Sequence, residues 1–383
     1  MANNCHNSTR VFWLGAILND GGLKKFRGET PAATQWSRGL LKGLAENGCD
    51  VKVFAPIWDA LFPKGALFPG NGEFLDQGFD QQLVRYLNFP GVRTRSVADS
   101  LKRVLRNEVA KNEPAIVLNY NPYPHYCQAM KSVLKDRPQV KWFNVVLDLD
   151  DPTLDKWSSF AKATNGASGA VFLSWWGYEN APVEKKLHLD AGVFSPKVIS
   201  QPSKLVSKKI YVYAGKLADY GGLPQVISAI KRYDDPLASF KFFGKGTSKA
   251  LADLASHDSR VEVFGFVSDD ELKDACGDAD AFLSPRDVDF QGTRMIFPSK
   301  ILYYLQFGKP VLGPMLPGLA PEYKDVLLDV GDGTPDLWGD AFNSVKCMTS
   351  HQLNELECKI ERILDKRTWC SQGRRLLDFV CSE

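Results

Sequence analysis

The chain has 383 residues, of which 44% are hydrophobic and 24% are charged, and its formal net charge is +2. This length exceeds one ordinary hydrophobic core and fits two domains of usual size. No apolar run approaches the roughly 18 residues that a membrane-spanning helix needs, and the first residues lack the basic and apolar regions of a signal peptide. We therefore expect a two-domain globular protein of the cytoplasm.

The charge distribution indicates no strongly basic surface. Residues 1–200 carry 24 Lys and Arg against 19 Asp and Glu, and no basic stripe is interleaved with aromatic residues. A nucleic-acid partner is therefore not expected, whereas peripheral contact with an anionic membrane or acceptor stays open. The eight cysteines include no Cys-x-x-Cys pair. This spacing favours reduced, partly buried thiols over a zinc site or a disulfide framework.

The first half of the chain reads as strands alternating with helices. An apolar run from Val11 to Leu18 predicts a buried strand followed by a flexible, glycine-rich loop from Asn19 to Glu29. A helix then opens with Thr30 as N-cap and Pro31 at the first helical position. Residues 58–82 lack a clear period and predict a long loop. Further strands are predicted at 51–57, 83–89, 115–119, 140–147 and 170–174.

Residues 96–112 predict an amphipathic helix with a basic polar side. That side carries Lys102, Arg103, Arg106 and Lys111. The pattern favours a solvated face, and a face that binds a membrane surface or an acceptor is the alternative.

The second half repeats the alternation after a break. Periodicity is lost between Gly192 and Lys209, where Ser, Pro and Lys accumulate, so we place a domain boundary between residues 200 and 201. Strands are then predicted at 210–214, 240–243, 261–264 and 281–284, with helices opening at 223, 248 and 269 and two more at 353–364 and 367–379. This alternation predicts an α/β protein whose two doubly wound domains each have a parallel sheet covered on both faces.

One stretch of the second half, Phe297 to Leu312, predicts a ligand-facing element. Pro298 opens a short helix, Gly308 ends it, and a buried strand starts at Pro310. The N-terminus of such a helix favours an anion.

Three loops that follow predicted strands have the composition of phosphate-binding loops. They span 215–222, 244–247 and 286–300, where glycines let the backbone approach a phosphate and where Lys216, Arg294 and Lys300 supply positive charge. Each loop taken alone is equally consistent with a tight turn. The spacing of a nucleoside-triphosphatase loop is missing, and Val11 to Gly22 lacks a dinucleotide-binding Gly-x-Gly-x-x-Gly motif.

The order of these motifs resembles that of GT-B fold glycosyltransferases, and it is most similar to the family 4 group that uses nucleotide-sugar donors. The resemblance covers nearly the whole chain and is strongest from Ile210 to Leu312. It implies two Rossmann-like domains facing a cleft, 1–200 for the acceptor and 201–366 for the donor, with a last helix (367–383) that crosses back to the first domain. Its carriers are Tyr213-Ala214-Gly215-Lys216-Leu217, Phe243-Gly244-Lys245-Gly246, Val261 to Val267, Asp278 to Pro285, Pro298-Ser299-Lys300 and Gly308-Lys309-Pro310-Val311.

The resemblance also implies where the donor binds. Lys216 stands at the family's diphosphate-binding basic position, Ser299 and Lys300 lie in the segment that meets the donor, and the loop at Phe264 to Phe266 receives the nucleobase. The donor-binding candidates are Gly215, Lys216, Gly244, Phe264, Gly265, Phe266, Arg294, Ser299 and Lys300.

The sequence departs from the family at the donor site. Met295 and Tyr303 occupy the positions of two glutamates that the family commonly has, and Gly221 occupies that of a second basic residue. Arg294 is our candidate for replacing the missing positive charge.

Candidate catalytic residues lie in the first half, after predicted strands. His125 follows strand 115–119, close to where relatives place a histidine near the acceptor, and Asp148 and Asp150 follow strand 140–147. A carboxylate there can act as a general base toward an acceptor hydroxyl. The aspartates could equally cap the following helix or bind a metal, and a lone histidine is often structural. The acceptor-side candidates are Gly21, Gly22, Lys24 and Asn121.

The expected activity is transfer of a sugar from a nucleotide diphosphate sugar to a hydroxyl acceptor, which could be a glycan, a lipid-linked compound or a small molecule. We expect no cofactor and no metal ion, and we favour retention of configuration over inversion. Two alternatives remain: a nucleotide-sugar epimerase of the same fold, and a non-catalytic GT-B subunit that binds a partner or a sugar.

Overall fold

The structure is a computed structural model that describes residues 9–26, 28, 30–147, 149, 154–199 and 208–382. The chain forms two compact units. The first comprises Met1–Phe194 together with Thr368–Glu383, and the second comprises Ser195–Arg367. No helix in the described ranges has both the length and the apolar character needed to cross a membrane.

The first unit is built around a parallel sheet. Its described strands are β1 (Arg10–Leu14), β2 (Asp50–Ala55), β3 (Asp80–Leu83), β4 (Ala115–Tyr120), β5 (Val140–Val146), β6 (Gly169–Phe172) and β7 (Lys186–His188). Its helices up to the boundary are α1 (Asp20–Lys25), α2 (Pro31–Glu46), α3 (Arg93–Glu108), α4 (Pro124–Leu134), α5 (Leu154–Thr164) and α6 (Trp175–Asn180). The strand order is β3-β2-β1-β4-β5-β6-β7, so the direction of winding reverses between β1 and β4.

The central strands of this sheet are almost continuously apolar because helices cover both of its faces. Phe12 and Leu14 of β1, Val117 of β4 and Trp142 of β5 are buried in one core cluster with Leu101 of α3. Helix α2 starts as predicted, since Pro31 is its first residue and the Thr30 side chain accepts a hydrogen bond from the Ala33 amide.

The second unit repeats this plan with a smaller parallel sheet. Its described strands are β8 (Ile210–Ala214), β9 (Ser239–Phe243), β10 (Val261–Gly265), β11 (Ala281–Leu283), β12 (Val311–Gly313) and β13 (Leu327–Asp329). Its helices are α7 (Leu223–Arg232), α8 (Lys249–His257), α9 (Asp269–Gly277), α10 (Lys300–Leu305), α11 (Pro335–Cys347) and α12 (Ser350–Lys366). The strand order is β10-β9-β8-β11-β12-β13, with the reversal between β8 and β11.

The last helix, α13 (Trp369–Cys381), belongs to the first unit and packs on α2. Its close approach depends on glycines, because a Cβ atom at Gly39 would overlap the Trp369 ring and one at Gly43 would overlap the Trp369 carbonyl. The ring of Trp369 also packs edge-on against that of Trp36, with centroids 5.9 Å apart. The predicted return of the last helix to the first domain is therefore found.

The expected elements differ from the observed ones mainly at sheet edges and in loops. The loop from Asn19 to Glu29 contains helix α1, which the Asn19 side chain caps by accepting from the Gly22 amide. The strand predicted at 83–89 lies earlier, at Asp80–Leu83, because this polar edge segment is fixed by pairing with β2 rather than by an apolar pattern. Strands β7 and β13, which have three residues each, were not predicted, and neither was helix α11. Short edge strands carry too few apolar positions to show a period.

Candidate functional site

The second unit has a pocket of about 170 Å³ at the point where its strand order reverses. The residues that follow β8 and β11 form its walls, together with two side chains of α10. In open parallel sheets this crevice, outside the carboxyl ends of the strands, is where ligands bind.

Three cations line this pocket, namely Lys216, Arg286 and Lys300, and none of the described lining residues is acidic. Although much of the Lys300 side chain is exposed, desolvation of its ammonium group lowers its pKa, and the positive charge of Arg286 lowers it further. Uncompensated like charges at one point of the surface favour an anionic ligand, which would remove this repulsion.

Helix α10 is tied to the end of β8 by Tyr304. The fully buried Tyr304 hydroxyl accepts from the Ala214 amide at 2.9 Å and donates to the Ala214 carbonyl at 3.1 Å. Its ring stacks on Phe282 of β11 with centroids 4.5 Å apart. Lys300 lies four residues before Tyr304 on the same helix face, and its ammonium group donates to the same carbonyl. Packing of Tyr304 therefore fixes where the Lys300 charge lies.

Glycines bring the three loops at this edge of the sheet together. The Gly215 amide donates to the Phe243 carbonyl at 2.8 Å, and a Cβ atom at Gly244 would overlap the Gly215 carbonyl. Gly222 has φ +89°, and a Cβ atom there would lie 2.6 Å from the Arg286 amide nitrogen. These close backbone approaches place Arg286 beside Lys216.

The first unit has a pocket of about 340 Å³ at the equivalent place, where β1 and β4 end. We call it the aromatic pocket. Its lining includes Trp13, Trp58, Tyr120, Tyr123 and His125, and none of the described lining residues is Asp, Glu, Lys or Arg. It is therefore a neutral pocket with aromatic walls.

His125 is buried in this wall and is 4% exposed. Its ring stacks on Trp58 with centroids 4.8 Å apart and meets Tyr126 at 4.2 Å. Burial lowers the pKa of His125 to about 3, and the positive charge of Arg93 contributes in the same direction. The imidazole is therefore neutral near pH 7 and is a weak base, which favours hydrogen bonding or packing over proton abstraction.

No protein-family model and no curated protein sequence matches the chain. Solved structures match it over nearly its whole length. A glycosyltransferase from Rickettsia africae has a TM-score of 0.68 at 12% identity, covering 98% of both chains. HepE of Anabaena, solved with UDP and glucose, has a TM-score of 0.64 at 12% identity, covering 98% of this chain and 100% of its own. The N-terminal domain of a Candida albicans trehalose-6-phosphate phosphatase has a TM-score of 0.65 at 14% identity, covering 99% of this chain and 98% of its own.

The chain has the GT-B fold. At these identities the likeness extends to the fold alone, so the roles of individual residues depend on their placement within it.

Arg286, rather than the predicted Arg294, lines the pocket of the second unit together with Lys216 and Lys300, and we call it the cationic pocket. Arg294 is exposed at the end of a 3-10 helix (Gln291–Arg294) and does not line that pocket. Sequence analysis missed Arg286. The signal was its position as the first basic residue after β11, at the strand end where the order reverses.

Ser299 and the two predicted glycines have different surroundings. Ser299 is exposed just before α10 and makes no capping hydrogen bond, and α10 has only six residues, so its helix dipole is small. Gly215 lines the cationic pocket. Gly244 does not line it and packs against the Gly215 carbonyl.

The predicted nucleobase loop presents two exposed aromatic rings. Phe264 is 46% exposed and stacks on Phe243 with centroids 4.7 Å apart, and Phe266 is 70% exposed with the Lys245 ammonium 4.3 Å from its ring centre. Gly265, between them, has φ +70°. Exposed aromatic rings such as these can stack on a nucleobase.

The two positions where the family commonly has glutamates carry no carboxylate here. Met295 is buried, and the half-buried Tyr303 hydrogen-bonds Cys276. Burial raises the pKa of Cys276 to about 12 and also raises that of Tyr303. Neither position can supply a charged acid or base near pH 7.

Asn121 is 2% exposed, and its side chain fastens β5 to β4. Its side-chain oxygen accepts from the Leu147 backbone amide at 2.8 Å, and its backbone amide donates to the Val145 carbonyl at 2.8 Å. Its φ of +54° is a conformation that Asn tolerates better than most residues. Asn121 therefore positions the end of β5. Asp148 and Asp150, which follow in the chain, lie outside the described residues.

The remaining acceptor-side candidates lie on α1 and line neither pocket. Gly21 and Lys24 are exposed, whereas Gly22 is buried, and a Cβ atom there would lie 2.8 Å from the Phe74 carbonyl oxygen. Within the ranges that the structure describes, no three His, Cys, Asp or Glu side chains form a group that could hold a metal ion.

Proposed function

We propose that the protein is a glycosyltransferase that moves a sugar from a nucleotide diphosphate sugar to a hydroxyl acceptor. The observation that carries this proposal is the set of three cations, Lys216, Arg286 and Lys300, around one pocket without a described acidic residue. A diphosphate group has the charge and size to neutralise them. HepE, which shares the fold, was solved with UDP and glucose, which supports a nucleotide sugar as the donor class.

In the proposed reaction, the acceptor oxygen forms a bond to C1 of the sugar while the bond from C1 to the diphosphate oxygen breaks. The acceptor proton goes to a base, and the nucleoside diphosphate leaves. The three cations stabilise the negative charge that develops on the leaving oxygen, so no metal ion is needed for this step. Phe264 and Phe266 are the proposed contacts of the nucleobase.

The acceptor side of the proposal uses the first unit. Asp148 and Asp150 are the candidates for the base, because they come shortly after β5 in the sequence and Asn121 fixes the end of that strand. We propose retention of configuration, for which the acceptor oxygen reaches C1 on the same face that the diphosphate leaves. Attack from the opposite face would invert C1, and the anomeric configuration of the product by proton NMR decides between the two.

The test of this function is a turnover screen. The chain is incubated with a panel of nucleotide sugars and hydroxyl acceptors, and nucleoside diphosphate release is measured along with the mass of the glycosylated product. A donor of the right class, present at 100 times its Kd, also adds about 2.7 kcal/mol to the free energy of unfolding, which thermal shift detects. If no nucleotide sugar shifts the melting temperature and no product forms, the proposal is wrong.

A second candidate is a GT-B protein that binds a nucleotide sugar without turning it over. Met295 and Tyr303 favour it, because they supply no carboxylate at the donor site. Binding of UDP with no release from any donor, in the presence of every acceptor tried, would favour this candidate over the enzyme.

A further inference from the structure

The aromatic pocket of the first unit contains two buried polar groups that have no hydrogen-bond partner among the described residues. They are the indole N–H of Trp13, which is 0% exposed, and the hydroxyl of Thr34, which is 2% exposed. Both residues line the pocket. Buried polar groups are nearly always satisfied in folded proteins, since leaving one unpaired is costly. Two such groups at one pocket indicate that the partner is a molecule that enters it.

Gly15 keeps the space beside the Trp13 indole open. It follows β1 directly, lines the pocket and has φ +152°. A Cβ atom at this position would lie 2.9 Å from the Trp13 indole nitrogen and 3.2 Å from the Tyr120 Cβ. Any other residue at position 15 would therefore crowd the indole N–H, so the glycine avoids a contact that would block a donor without a partner in the described residues.

The pocket selects against charge. Its described lining contains aromatic rings, small residues and hydroxyl groups, and His125 in its wall is neutral near pH 7. The nearby Arg93 guanidinium lies 4.0 Å from the Trp58 ring centre and donates to the Asp59 carbonyl at 3.0 Å. A charged ligand would lose its hydration here without a charged residue in the described lining to compensate it. A ligand with apolar faces and several hydroxyl groups loses much less, because rings cover its faces and the unpaired groups bind its oxygens.

We propose that the aromatic pocket binds an uncharged sugar unit, with the Trp13 indole donating to one sugar oxygen and the Thr34 hydroxyl hydrogen-bonding another. The inference rests on the proposed function only in that this unit is then the acceptor of transfer. Binding of the sugar itself needs no donor and no turnover.

Saturation-transfer NMR and calorimetry of the full chain test this directly. The probes are neutral methyl glycosides of glucose, galactose and mannose, compared with glucuronic acid, glucosamine and glucose 6-phosphate. At least one neutral glycoside is expected to bind, and its charged counterparts are expected to bind at least about tenfold more weakly. Equal binding of neutral and charged sugars, or no binding of any neutral glycoside at millimolar concentration, would overturn the proposal.

Thr34→Val separates a ligand-binding hydroxyl from a structural one. Because the hydroxyl has no protein partner in the described residues, its removal is expected to leave the melting temperature unchanged or raise it, while the affinity for the neutral glycoside falls about tenfold. Trp13→Phe removes the other donor and is expected to weaken binding in the same way. Thr334→Val, at an exposed threonine of the second unit whose side chain makes no capping hydrogen bond, is the control and should change neither quantity.

A lower melting temperature for Thr34→Val with unchanged glycoside affinity would show a structural hydroxyl and contradict the proposal. The failure of this inference is distinguishable from failure of the proposed function. UDP binding without neutral-sugar binding contradicts the aromatic-pocket assignment alone, whereas neutral-sugar binding without any nucleotide binding contradicts the donor assignment alone.

Discussion

The two units carry pockets at the same place in their sheets but with opposite chemistry. In each unit the pocket lies where the strand order reverses, at β1 and β4 in the first and at β8 and β11 in the second. The first pocket has aromatic walls and no charged residue in its described lining, and the second has three cations. The fold therefore sets where each pocket lies, and the residues that follow the strands set whether its lining is neutral or positively charged.

The two places share one backbone hydrogen bond. Gly15 follows β1 and donates its amide to Phe54 of β2 at 3.1 Å, and Gly215 follows β8 and donates to Phe243 of β9 at 2.8 Å. The next residue is Ala16 in the first unit and a lysine in the second. One position thus contributes to the change from a neutral pocket to a cationic one.

Replacing the proposed base tests most strongly whether the chemistry belongs to the first unit. Asp148→Asn or Asp150→Asn is expected to lower the transfer rate about 10²- to 10⁴-fold, the usual contribution of a general base, while UDP affinity stays unchanged. Steady-state kinetics and calorimetry measure the two quantities. Asp99→Asn, on the exposed side of α3, is the control. Full activity in both variants would remove these aspartates from the mechanism.

Two adjacent glycines test whether close loop packing forms the second pocket. Gly222→Ala places a Cβ atom against the Arg286 backbone at a positive φ, so it is expected to cost about 3 kcal/mol in the free energy of unfolding and to weaken UDP binding. Gly221→Ala has a similar φ but nothing within 4 Å, so only about 1 kcal/mol is expected. Urea unfolding of both variants checks the difference, and equal costs would contradict the packing argument.

The pH dependence of stability tests whether His125, in the aromatic pocket, stays uncharged in the folded protein. His125 has a folded-state pKa of about 3 against an ordinary value of 6.5, so the unfolded chain takes up a proton first as the pH falls. Its contribution to the free energy of unfolding is therefore constant above pH 6.5 and is lost between pH 6.5 and pH 3. At pH 5 the loss is about 2 kcal/mol.

His125→Gln should remove that part of the pH dependence, as measured by urea unfolding between pH 7 and pH 4. His257→Gln, at an exposed histidine, provides the matched control. An identical loss of stability on acidification in wild type and His125→Gln would show that His125 does not titrate as described.

Much of this arrangement could be predicted from the sequence because it depends on residues that are close together along the chain. Thr30 and Pro31 mark the start of α2, and the alternation of strands and helices indicates two doubly wound sheets. The turn at Gly308, which has φ +65°, and the buried strand after it also follow from residue type.

The remainder depends on contacts between distant segments. Arg286 becomes a candidate only when β11 is seen to end beside β8, whereas Arg294 does not line the cationic pocket. Trp13 reads as an ordinary core residue of β1, and its unpaired N–H is visible only once Gly15 and Thr34 are placed beside the same pocket.

The affinity of UDP for two arginine variants tests the central claim most directly. Arg286→Ala is expected to weaken UDP binding about 30-fold by calorimetry, since one charged hydrogen-bond partner of the diphosphate contributes about 2 kcal/mol. Arg294→Ala is expected to leave it unchanged, and uridine, which lacks the diphosphate, should be insensitive to both. Equal UDP affinity in wild type and Arg286→Ala would contradict the assignment of the cationic pocket to the donor diphosphate.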